Sequence, residues 1–115
     1  SGVRIDFSQE HLREKRMIVV TGDAVAKPGT FDEVRRLSLE HVHRSRSESG
    51  CISHAEHIDC ENPLRLVFVE QWADKQALLA HFQVPASRTF VKALRSMLSE
   101  PSTIQIYEAT QLEMS

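Results

Sequence analysis

The chain has 115 residues, 41% of them hydrophobic and 26% charged, with a formal net charge of -2. That length suits one folded core and is too short for two of ordinary size. The near-balanced charge gives no basic footprint for nucleic acid or for an anionic membrane surface, so neither is an expected partner.

No apolar run approaches the roughly 20 residues that a membrane helix needs, and the polar start of the chain lacks the apolar core of a signal peptide. A cytoplasmic setting is the expectation. Cys51 and Cys60 flank an expected strand, and extended backbone at about 3.3 Å per residue holds them on the order of 30 Å apart. A disulfide cannot span that gap, so both read as reduced thiols.

Residues 1–16 (SGVRIDFSQEHLREKR) form an N-terminal arm, and residues 17–115 the folded domain. Met17 to Ala26 is apolar and β-branched and ends at Lys27-Pro28-Gly29, which is turn chemistry, so it is the first strand. Thr30 and Glu33 have the spacing of a capping box. A helix is predicted from there to about Ser47, stopped by Ser49-Gly50. At about 100° per residue, Phe31, Val34, Leu37 and Val42 share one broad side with Ser38, His41 and Ser45. Arg36, Glu40, His43 and Arg44 fall opposite, as a solvated face should. Polar residues inside an apolar arc either hydrogen-bond in the core or line a cavity.

Cys51 to Asp59 and Leu64 to Trp72 read as strands two and three. The short, turn-rich link Cys60-Glu61-Asn62-Pro63 makes them an antiparallel hairpin. In the third strand Leu66, Phe68, Glu70 and Trp72 share one face, with Val67 and Val69 on the other. Both faces are apolar, so both are expected to be covered. Asp74 is a suitable N-cap for a helix carrying Ala77, Leu78, His81 and Phe82, which Pro85 interrupts. A second helical piece is predicted over residues 86–99, with Phe90, Val91, Leu94, Met97 and Leu98 as its apolar stripe. Residues 102–109 read as a last strand.

The order strand, helix, strand, strand, helix, strand is the ferredoxin-like βαββαβ arrangement, an α+β fold with helices on one face of a four-stranded antiparallel sheet. The other face, with Val67 and Val69, would leave an apolar patch on a monomer, so a two-fold homodimer through the sheet face is expected.

From Met17 to about Ala109 the chain resembles the antibiotic biosynthesis monooxygenase domain family, which includes quinol monooxygenase-like proteins. The resemblance rests on an ordered set: Gly50 ending the first helix, a hairpin strand finishing in Glu70-x-Trp72, then His81, Pro85 and Phe90. It implies a dimeric α+β barrel with a pocket in each subunit between sheet and helices. Two positions depart from the pattern of many relatives. Ala86 stands where they carry a second His, and His54 where they carry an aromatic residue. The haem-degrading members of the wider superfamily use an Asn on the first strand and a His in the second helical region; this chain has Gly22-Asp23 and Phe90 there, which does not support haem chemistry.

Family members that oxidise aromatic substrates are thought to work without metal, flavin or haem, so the resemblance implies no cofactor and a small aromatic substrate with O2 as partners. Triplet O2 reacts slowly with closed-shell molecules, but a phenolate or hydroquinone anion can pass it one electron. The protein must supply a base, for which His is suited, and donors for the oxyanion in a water-poor site. His81 is the first candidate base, with Glu70 to orient an imidazole and His54 as a further acid or base. Trp72, His41, Ser38, Phe68, Phe82 and Phe90 are the candidate substrate-contacting residues. His54 and Glu56 share one strand face, whose direction the pleat alone leaves open. No metal site is expected, because His54 and His57 point to opposite faces of a strand and His41 and His43 diverge on a helix. The leading function is a cofactor-independent monooxygenase of a quinol or similar aromatic. A non-catalytic ligand-binding module and an isomerase on the same fold are the alternatives.

Overall fold

The structure, a computed structural model, describes residues 15–114. The elements are β1 (Lys15–Val25), α1 (Phe31–Ser45), β2 (Cys51–Asp59), β3 (Asn62–Trp72), α2 (Lys75–Gln83), α3 (Pro85–Leu94) and β4 (Thr103–Gln111). The arm expected over residues 1–16 lies outside the described residues, apart from Lys15 and Arg16, which already belong to β1. The strands form one antiparallel sheet in the order β2-β3-β1-β4. With the helices packed on one side, this is the ferredoxin-like α+β fold.

Alternation along β3 decides what the helices cover. Leu66 and Trp72 are essentially inaccessible and Glu70 is buried beside them, whereas Val69 on the opposite face is 37% exposed. In β1 the same logic buries Ile18, Val20 and Ala24. Full burial of side chains of this size contributes about 1.5–3 kcal/mol each.

The core has two apolar parts. One gathers Ala24, Ala26, Val34, Leu66, Leu94 and Leu98, with Phe31, Phe68, Phe90 and Met97 against it. The other gathers Ile18, Val20, Trp72 and Leu78, with Cys51, Ala77 and Phe82.

β2 carries an irregularity that sets which of its residues face the helices. Cys51 pairs with Trp72 and Ser53 with Gln71, so Ile52 is an extra residue; His54 then pairs with Glu70. A bulge reverses the facing of everything after it. Without the bulge, the phase set at Cys51 would turn His54 away from the helices. With it, His54 lies on the buried face beside Glu70, and Glu56 follows on the same side.

Several local expectations are corrected. Thr30 does precede α1, but its hydroxyl donates to the Met97 carbonyl at 2.6 Å instead of capping the helix, and Glu33 bonds Arg36 at 2.6 Å. The tertiary carbonyl outcompetes the capping box, tying the start of α1 to the segment before β4. α1 stops at Ser45 instead of Ser47. The β2–β3 turn is only Cys60-Glu61, so β3 begins at Asn62, not Leu64. Asp74 caps α2 as expected, accepting from the Ala77 amide at 2.8 Å. Pro85 opens α3 at a position where its missing N–H costs nothing. That helix ends at Leu94 rather than Ser99, because Leu98 leaves it to bridge Ala26. Val91 lies off the expected stripe and is 48% exposed. The last strand is Thr103–Gln111, two residues longer than expected at its end.

Gly50 is the one described residue in the left-handed region, at φ 83°. A Cβ there would also lie 2.5 Å from the Cβ of Ala77. Only glycine lets α2 pack this closely on the turn after α1.

Candidate active site

Between the two apolar parts of the core lies a polar interior: Ser38, His41, Ser45, His54, Glu70, His81 and Ser87 are all buried. Three imidazoles form its centre. His41 comes from α1, His54 from β2 and His81 from α2, and their ring centroids are 5.1 to 5.7 Å apart. Phe90 stacks on His41 at 4.3 Å, nearly parallel, and Trp72 closes the opposite side at 4.6 Å from His81.

Each ring is held by a different partner. His81 Nδ1 lies 2.8 Å from Glu48 Oε1. A carboxylate only accepts, so Nδ1 carries the proton and the Nε2 lone pair is free. His41 is the converse. Its Nδ1 lies 3.2 Å from Arg44 Nη2, and a guanidinium only donates, so the His41 proton sits on Nε2. Burial pushes the His41 pKa down to about 3, helped by the nearby His54, His81 and Arg44, so this ring is a neutral N–H donor.

His54 Nε2 lies 3.3 Å from Glu70 Oε1 without the alignment of a hydrogen bond, and its Nδ1 is buried with no partner among the described residues. Glu70 Oε1 also accepts from the Trp72 indole N–H at 2.9 Å. Burial by itself would raise the Glu70 carboxyl, but His54 and the Trp72 N–H outweigh it and hold the pKa below the ordinary value. Glu70 is therefore an anion. Glu56 behaves differently: burial pushes its pKa up to about 7 against the opposing pull of Arg35 and His54.

The surroundings hold further unmatched polar atoms. Ser38 Oγ, Ser87 Oγ, Glu48 Oε2 and Glu56 Oε2 are buried without a hydrogen-bond partner among the described residues. Buried polar groups are normally paired, so these atoms have hydrogen-bonding capacity that the described residues do not use.

The fold thus brings together His81, Glu70, His54, Trp72, His41 and Phe90. Ser38 lies buried on the same face of α1, and Phe82 stands 5.9 Å from His81 by ring centroids. Phe68 packs instead with the first core part, around Leu66 and Ala24. Two residues escaped the sequence reasoning. Glu48 was not singled out, yet it orients His81. Arg44 was assigned to the solvated face, yet it is half-buried and reaches both His41 and the Ala86 carbonyl. Its spacing of three residues from His41 on one helix was the available signal. As metal ligands the histidines were compared only within single elements, whereas the cluster draws one from each of three.

A model of the antibiotic biosynthesis monooxygenase family matches residues 17–93. The chain belongs to the antibiotic biosynthesis monooxygenase family. Among relatives, an uncharacterized Synechocystis protein is 35% identical over 96 residues, covering 84% of this chain; the chain spans 65% of that relative's length. A crystal structure of an antibiotic biosynthesis monooxygenase is similar at 26% identity, TM-score 0.75, covering 80% of this chain and 97% of its own. A conserved Methanosarcina mazei protein is also 26% identical, with TM-score 0.77 over 81% of this chain and 92% of its own. A Shewanella oneidensis protein at 20% identity, TM-score 0.76, covers 95% of this chain and 98% of its own and shows the fold alone. No helix among the described residues is long and apolar enough to cross a membrane.

Proposed function

We propose that this family member oxidises a small electron-rich aromatic, of the phenol or quinol class, with O2 and without a resident cofactor. One observation carries it: two neighbouring imidazoles, 5.1 Å apart, hold opposite hydrogen-bonding roles. His81 presents a lone pair because Glu48 takes its other nitrogen, and His41 presents an N–H because Arg44 occupies its other nitrogen. A phenolic hydroxyl placed between them gives its proton to His81 Nε2, while His41 Nε2–H stabilises the oxyanion. The anion passes an electron to O2, and the radicals combine on the ring. Loss of water leaves a quinone: phenol plus O2 gives quinone plus water, with the substrate supplying every electron. Phe90 and Trp72 supply flat apolar walls that suit an aromatic ring and exclude water.

Homodimer assembly is part of the same proposal. β4 is exposed along nearly all its length: Tyr107 lies with Val69 on the outer sheet face, and Ile104 and Ile106, on the opposite face of β4, are also at least half exposed. A second copy packed against this sheet would cover it. A cytoplasmic setting is proposed with it, because Cys51 and Cys60 are free thiols.

The test is O2 consumption by chelator-treated protein across a panel of quinols, with His81→Ala as control. Uptake that depends on His81 supports the proposal. Turnover of a substrate under anaerobic conditions would point instead to proton-transfer isomerisation, which the same donor and acceptor pair can perform. Saturable binding without turnover, unaffected by His81→Ala, would make the protein a binding module.

A further inference from the structure

The histidine cluster has a second capacity, which does not rest on the oxidation chemistry above. We propose that His41, His54 and His81 together bind one divalent late transition-metal ion of the zinc or cobalt class.

The geometry comes first. One ligating nitrogen from each ring lies within 4.8 Å of the others. Nitrogens at about 2.0–2.1 Å from a tetrahedral ion are roughly 3.3 Å apart, so small side-chain movements close the site. Three imidazoles favour zinc, cobalt, nickel or copper over the oxygen-seeking calcium and magnesium.

The next shell is also of the right kind. Glu48 holds Nδ1 of His81, leaving Nε2 to coordinate. Glu70 faces Nε2 of His54, leaving the buried and unpartnered Nδ1 to coordinate. A carboxylate on the far nitrogen of a ligating histidine orients the ring and raises its basicity. Trp72 fixes Glu70 in turn. The two carboxylates also offset the charge an ion would bring into a buried site.

Arg44 opposes the ion. While it donates to His41 Nδ1, the proton stays on Nε2, the nitrogen left to coordinate. Ion entry moves that proton to Nδ1 and releases Arg44, which keeps its contact with the Ala86 carbonyl. Arg44 therefore weakens the site without abolishing it, and Arg44→Met tightens it.

The experiment titrates chelator-treated full-length protein with cobalt(II), followed by visible absorbance, and with zinc(II), followed by calorimetry. One ion per chain is expected, with affinity reduced at least about 10-fold in His54→Ala and in His81→Asn. His81→Asn keeps a polar group of similar volume and carries the test if His54→Ala fails to fold. His43→Ala and His57→Ala, both exposed and off the cluster, should bind as the parent does. No binding at millimolar ion overturns the proposal. So does binding that survives both cluster substitutions or is lost with His57. O2 uptake is measured separately on metal-free protein, so either proposal can fail alone.

Discussion

Glu48 Oε1 accepts a hydrogen bond from His81 Nδ1 at 2.8 Å, joining the turn after α1 to the last turn of α2. This contact decides which nitrogen of His81 faces the buried cluster. Replacing Glu48 by Gln keeps a carbonyl acceptor but removes the charge that stabilises the imidazolium formed during proton transfer. Glu48→Gln should lower kcat for the proposed quinol oxidation by about 10- to 100-fold. KM and the melting temperature should barely move. A KM effect with unchanged kcat would instead assign Glu48 to substrate binding.

Trp72 serves Glu70 through its N–H and the core through its ring. Trp72→Phe keeps most of the ring and deletes the donor, leaving the buried carboxylate short of a partner. It should cost about 1–3 kcal/mol in urea unfolding, against about 3–5 kcal/mol for Trp72→Ala. No loss in Trp72→Phe would mean that the indole N–H contributes little.

Gly50 combines a left-handed backbone with contact against Ala77. Gly50→Ala should therefore destabilise by about 2–4 kcal/mol, adding backbone strain to overpacking. The double variant Gly50→Ala/Ala77→Gly relieves the contact but not the φ, so it should recover only part of the loss. Full recovery would show that the backbone conformation costs nothing.

Asp23 bridges β1 to both neighbouring strands, accepting from Thr103 at 2.5 Å and from Arg65 at 2.8 Å. The Thr103 hydroxyl, opposed by burial and aided by Arg65, lowers its pKa. A carboxyl with a depressed folded-state pKa stabilises fully above its unfolded value of about 3.9. That contribution disappears as pH falls through the lower folded value. The urea midpoint of the parent should therefore fall more steeply than that of Asp23→Asn below about pH 5. Parallel curves would remove Asp23 from the acid response.

Tyr107 and Ile106 lie on opposite faces of an exposed strand. If a second copy covers β4, Tyr107→Glu should shift sedimentation from twice the chain mass toward the monomer. A parent that sediments as a monomer would refute the dimer.

Element order, strand pairing and the inward face of β3 were all legible in the residues. Period-2 alternation at Leu66, Phe68, Glu70 and Trp72 and the Asp74 cap are local signals, and local physics is enough to read them. The failures share a cause. Thr30 and Arg44 each found a partner remote from the local frame in which they were read, the Met97 and Ala86 carbonyls, and Glu48, which no local signal singled out, found His81. Capping and solvation rules describe an isolated helix, and a packed one has better offers.

The sequence by itself determined that a carboxylate, an indole and an imidazole would gather where β3 enters α2, because alternation and capping place Glu70, Trp72 and His81 there. Only the tertiary structure decided that His54 joins them. One extra residue at Ile52 reverses the pleat, and nothing in the composition of β2 announces it. It also decided that His41 donates and His81 accepts, since a tautomer is set by what lies across space from each ring, Arg44 for one and Glu48 for the other.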